Sequence, residues 1–147
     1  MIVKVLAEKN WEDLPIAISA IDVVLLTHGH LDHTGYLPRL VKNGYRGKII
    51  GTAPTLAIAK IILLDSAKIH EEEAERANEE GYSKHSPAEP FYTLQEAEVA
   101  LGFFQSEERN QWIQLSENIK YRFKYNGHII GASEGSWSKP PSEGEYS

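Results

Sequence analysis

Ile21-Asp22-Val23-Val24-Leu25-Leu26-Thr27-His28-Gly29-His30-Leu31-Asp32-His33-Thr34-Gly35 is the stretch from which the rest of the chain can be read. Its first six residues form a nearly unbroken apolar and β-branched run, which predicts a strand buried on both faces within an α/β sheet. Directly beyond it, three histidines and one aspartate fall within six positions. Where a strand leaves its sheet, residues two apart project the same way, so His28 and His30 can present imidazoles to one ion. Asp32 and His33 stand on the opening turn of the helix that follows and can turn toward a second ion beside the first. Imidazole nitrogen and carboxylate oxygen suit zinc, and a zinc site with an open position lowers the pKa of bound water to about 7, so the implied reaction is hydrolysis. The competing reading makes Asp32 a helix cap and each histidine a satisfied polar group, but folding alone does not require three histidines and an aspartate together.

Downstream, Tyr36, Leu37, Leu40 and Val41 fall at helical spacing and predict a helix over Thr34 to Asn43, closed by Gly44. Lys48 to Gly51 reads as a second strand, and Thr52 and Pro54 as the N-cap and early-turn proline of a helix. Pro54 to Glu80 contains no further proline and no glycine, and passes from apolar (LAIAKIILL) to acidic (EEEAERANEE) before Gly81. It predicts one long helix, or two in line, with a solvated far end. In that helix His70 is expected to be exposed rather than a ligand, and Glu71, Glu72, Glu73 and Glu75 to form a solvated face, since successive helical residues diverge too much to cage an ion. His85, in the loop Lys84-His85-Ser86-Pro87, reads as an ordinary loop histidine.

Thr93 with Glu96 three residues on is a capping-box pattern that opens a helix through about Phe103. Ile119, Tyr121, Phe123 and Tyr125 alternate with Lys120, Arg122 and Lys124, the signature of a half-exposed strand, paired with Trp112 to Leu115 through a turn at Ser116 to Asn118. His128 follows at Tyr125-Asn126-Gly127-His128-Ile129-Ile130-Gly131. Alone it is a residue after an Asn-Gly turn; beside the cluster it is the third imidazole that a histidine-rich zinc site needs. After Ser133 the sequence EGSWSKPPSEGEYS holds few apolar residues, which predicts a disordered polar tail over 134–147.

The composition of the 147 residues is that of a soluble globular domain, 41% hydrophobic and 24% charged. With no cysteine, disulfides, thiolate zinc sites and a cysteine nucleophile are excluded. A formal charge of −6 argues against a dominant basic surface, so an RNA substrate would be gripped mostly by other parts. No apolar run is long enough for a membrane helix and Met1 does not open a signal peptide, so a cytoplasmic protein with no membrane contact is expected.

The H-x-H-x-D-H cluster after an apolar strand is similar to the second motif of the metallo-β-lactamase superfamily, and Gly127-His128-Ile129-Ile130-Gly131 looks like its third. Between them, GYLPRLVKNGYRGKIIGT, LLDSAKIHEEEAERAN and KHSP resemble the β-CASP ribonucleases, the branch that includes the endonuclease of messenger-RNA cleavage and polyadenylation. The resemblance implies a two-zinc phosphodiesterase acting on RNA. His28, His30 and His128 would hold one zinc, and Asp32 and His33 would contribute to the other and to catalysis. It further implies that the strands before the cluster, the remaining ligands of the second zinc and the separate β-CASP domain have no counterpart here. The expected fold is therefore α/β, a partial αββα sandwich over residues 1–133, truncated at both ends. Its first zinc site would be nearly complete and its second short of ligands, with weak or no activity alone. Two alternatives stand beside this one: a small-molecule hydrolase of the same superfamily, and a non-catalytic module whose sheet is completed by a second copy or a partner chain.

Overall fold

The computed structural model describes residues 14–81 and 87–138. Its first sheet is three parallel strands in the order β1 (Val23–Leu25), β2 (Lys48–Gly51), β3 (Phe104–Ser106). Its second is antiparallel, in the order β4 (Ile113–Ser116), β5 (Ile119–Tyr125), β6 (Ser133–Ser138). Among the described residues four α-helices accompany them, α1 (Leu31–Thr34), α2 (Leu37–Lys42), α3 (Ala53–Glu80) and α4 (Leu94–Leu101), with a short 3-10 turn at Ile18–Ala20.

Strand alternation builds the layers. Val24 and Ile49 project into a core with Leu40, Val41, Leu56, Leu63, Ala97 and Ala100 of the helices, while Val23, Leu25 and Ile50 face the other way, onto Ile113, Tyr121 and Phe123 of the second sheet. Helices, parallel sheet and antiparallel sheet thus stack in that order, the α/β arrangement expected of a partial sandwich. Among the described residues no helix covers the outer face of the second sheet. There Trp112 lies under Lys120 Nζ (4.9 Å to the ring centre) and Arg122 Cζ (4.5 Å), so the charged side of β5 is stacked on an aromatic ring.

Four expectations are corrected. The run Ile21–Leu26 is not the strand buried on both faces: the residues of β1 are half-buried and, among the described residues, it lies at the end of its sheet, while the buried strand is the central one, where Ile49, Ile50 and Gly51 are all buried. Thr34 to Asn43 is not one helix, because Pro38 has no N–H to return to the Thr34 carbonyl and its ring would crowd that oxygen; α1 ends at Thr34 and α2 begins afresh at Leu37. The helix opened by Thr93 stops at Leu101, and β3 follows at Phe104, since two adjacent phenylalanines do not distinguish a helix end from a short strand. The tail expected from residue 134 is ordered as far as Ser138: β6 runs antiparallel to β5 from Tyr125↔Ser133 to Lys120↔Ser138. Backbone pairing to β5 satisfies these residues without an apolar sequence; residues 139–147 lie outside the described residues.

The long helix is as read, one element of 28 residues closed by Gly81 in the left-handed region (φ 69°). So is the capping box: Thr93 Oγ1 accepts from Glu96 N–H at 3.1 Å, and a Glu96 carboxylate oxygen accepts from Thr93 N–H at 3.0 Å.

Candidate metal centre

Thr27 to His30 connect the end of β1 to α1, so the cluster sits at the carboxyl end of the parallel sheet, where ligands of open α/β sheets gather. His28 is buried at 9% exposure, and its ring lies 5.0 Å from that of His30 and 4.0 Å from that of His33. Thr27 Oγ1 stands 3.1 Å from His28 Nδ1, a contact that orients the ring and leaves Nε2 for other work. The turn that carries the remaining residues is tight: the His30 carbonyl accepts from the N–H groups of His33 (3.0 Å) and Thr34 (3.1 Å) and from Thr34 Oγ1 (3.1 Å). Gly29 lets the segment lie against α3, for a Cβ there would come within 2.7 Å of Ile58 Cγ2 and 3.1 Å of Ala59 N.

His128 arrives from the second sheet, in the connection between β5 and β6. Its ring stands 5.0 Å from that of His28 and 5.2 Å from that of His30, both nearly perpendicular. The loop is tied at each end: Asn126 Oδ1 accepts from His128 N–H (3.1 Å), and Ser133 N–H donates to the Thr27 carbonyl (2.8 Å), joining the second sheet to the residue before His28. Between these ties the Gly131 carbonyl lies 2.8 Å from both Thr52 Oγ1 and Thr55 Oγ1, which are 2.9 Å apart.

One donor atom from each of His28, His30 and His128 lies within 4.8 Å of the others, and the same holds for His28, Asp32 and His33. Zn–N bonds of about 2.0–2.1 Å put tetrahedral nitrogens roughly 3.4 Å apart, a spacing that side-chain rotation reaches from here. The donors are of the right chemistry too. Burial holds the His28 imidazole below its ordinary pKa, with His33, His30 and His128 adding to the effect against a smaller opposing pull from Asp32, which favours the neutral form that binds a cation. Asp32 and His33 are both about half exposed, with Asp32 Oδ2 and His33 Nε2 3.4 Å apart. His28 is common to both groups.

The family model of the metallo-β-lactamase superfamily matches residues 7–50, a span that includes the whole cluster. Over that span the chain is similar to the metallo-β-lactamase superfamily. Proteins similar to the chain include Ribonuclease TTHA0252 of Thermus thermophilus, 34% identical over 113 residues, a match covering 77% of this chain and 22% of that protein. Transcription termination factor FttA of Cenarchaeum symbiosum is 50% identical over 54 residues, 37% of this chain and 8% of that protein. The Integrator complex subunit 11 homolog of Dictyostelium discoideum is 34% identical over 114 residues, 77% of this chain and 14% of that protein. The chain thus spans less than a quarter of the length of these relatives. No helix among the described residues is long and apolar enough to cross a membrane.

All five residues singled out in the sequence, His28, His30, Asp32, His33 and His128, are brought together, while His70 is not. His85 lies outside the described residues, as do Lys84 and Ser86 of the KHSP loop. His70 is not exposed as expected: it packs edge-on to Phe91 (6.0 Å) and Tyr92 (5.0 Å), with its Nε2 3.2 Å from Ser66 Oγ, because the segment after the 82–86 stretch folds back over α3. Glu71 likewise leaves the solvated acidic face, its carboxylate accepting from Leu94 N–H at 3.0 Å to cap α4. Thr52, Thr55 and Gly131 were missed as residues of the site, since a threonine before a proline reads simply as a helix cap.

Proposed function

We propose that this chain carries the principal zinc site of an RNA-cleaving hydrolase, held by His28, His30 and His128, with Asp32 and His33 beside it as the start of a second site. The observation that carries this reading is the convergence of five metal-compatible side chains from the ends of both sheets onto one spot. Zinc bound there would supply a Lewis acid and water acidic enough to be deprotonated near neutral pH. The lowered pKa of His28 favours a free donor nitrogen, Thr27 orients that ring, and Asp32 and His33, both about half exposed, could orient water or a substrate oxygen. RNA is favoured as substrate by the names of the relatives, one a ribonuclease and another an endoribonuclease, ysh1 of Schizosaccharomyces pombe.

Among the described residues the second group is short of donors. A single imidazole nitrogen binds one ion, so once His28 serves the first group, Asp32 and His33 remain among the described residues, fewer than the three protein ligands usual for catalytic zinc. Cleavage by the chain alone is therefore expected to be weak or absent. Zinc-loaded chain tested against single-stranded RNA, a thioester and a β-lactam should show whatever hydrolysis it retains on RNA alone, and His30→Ala should remove it. Turnover of the thioester or lactam without RNA cleavage would instead assign a small-molecule hydrolase.

A further inference from the structure

We infer that Thr52 and Thr55 are positioning residues for the metal centre: together they grip the Gly131 carbonyl and so fix the loop that delivers His128. The inference rests on the reading of His28, His30 and His128 as a metal site.

His128 is exposed, and the rings it meets among the described residues are those of His28 and His30, edge-on, so its place depends chiefly on the backbone of its loop. That backbone is anchored most firmly at Gly131. Thr52 and Thr55 are buried at 2% and 0% exposure, and both hydroxyls lie at 2.8 Å from the one carbonyl oxygen. Its two lone pairs can take both protons, or Thr55 can donate to it while Thr52 donates to Thr55. In either case the buried carbonyl is satisfied from α3's first turn and from nowhere in its own loop. Thr52 occupies the N-cap position of α3, yet its side chain makes no capping bond. A residue that forgoes its local role in favour of a contact 79 positions away marks a site where function shapes the structure.

Gly131 completes the fit. It adopts φ +82°, and a Cβ there would stand 2.7 Å from both Pro54 Cβ and Thr55 N, so the loop is pressed directly onto the turn that holds it. The same helix receives Gly29, between His28 and His30, against Ile58 and Ala59. The first two turns of α3 therefore act as a common seat for both histidine-bearing segments, which come from different sheets. Removing the hydroxyls frees one segment relative to the other without touching a ligand.

The test is a thermodynamic cycle on zinc affinity, measured with the full chain by competition against a chromophoric chelator, alongside circular dichroism to follow folding. Thr52→Val with Thr55→Val keeps shape and removes both hydroxyls; affinity should fall about 10- to 100-fold, the usual range when groups supporting a ligand are lost. Thr52→Ser with Thr55→Ser should restore it. In a His128→Ala background the valine pair should change affinity by less than about threefold, because the ligand it positions is gone. Should the double valine chain not fold, each single valine substitution leaves one hydroxyl on the carbonyl and should show a smaller loss with the same dependence on His128. Equal losses with and without His128, or no loss, would overturn the positioning role while leaving the metal site standing. A wild-type chain that takes up no zinc would remove the site itself, and the proposal with it.

Discussion

Burial sets His28 apart from the histidines around it, and His70 shares that condition far from the site. His70 is held below its ordinary pKa by burial, with Glu73 opposing, so the folded chain accepts a proton there less readily than the unfolded one. The sign follows: above the unfolded value of 6.5 both states are neutral at this position, and as pH falls below it the unfolded state takes up the proton first, so stability declines. Urea midpoints measured between pH 7.5 and 5.0 should drop for the wild type and drop less for His70→Gln; parallel profiles would refute the assignment. The contrast shows what single residues disclose. The cluster was legible because its chemistry is written in adjacent positions. The surroundings of His70 were not, since Phe91 and Tyr92 reach it only through a fold-back that no local pattern encodes.

At the scale of elements, what could be read was whatever the chain decides locally. The capping box of α4 is such a case, and it is braced further. Burial alone would raise the Glu96 carboxyl, but the Lys42 ammonium 2.8 Å away and the Thr93 N–H outweigh it and hold it below the usual range. Thr93→Ala should cost about 1 kcal/mol of stability, the typical loss for an N-cap hydroxyl, read as a lower urea midpoint with unchanged m-value. No change in midpoint would mean that the tertiary caps, Glu71 on Leu94 among them, carry the helix start by themselves. Elements that depend on distant partners were illegible. β3 is three residues long and exists because β2 offers an edge, and β6 exists because β5 does. Thr52 belongs to the same class: its spacing from Pro54 predicts a cap, whereas its hydroxyl is taken by Gly131.

At the scale of the whole molecule, two sheets and a layer of helices meet so that the carboxyl end of one sheet and a loop of the other close on a single point. Ser133 to Thr27 and Gly131 to Thr52 and Thr55 are the ties that register one sheet on the other there. Among the described residues the arrangement gives one group of three imidazoles and a second group that shares His28 with it. The central claim is that difference in completeness, and the most direct measurement is zinc stoichiometry per folded chain after dialysis against trace zinc, with His28→Ala and His33→Ala alongside. The account predicts one zinc in the wild type, one in His33→Ala and none in His28→Ala; two zincs in the wild type, or zinc retained without His28, would contradict it.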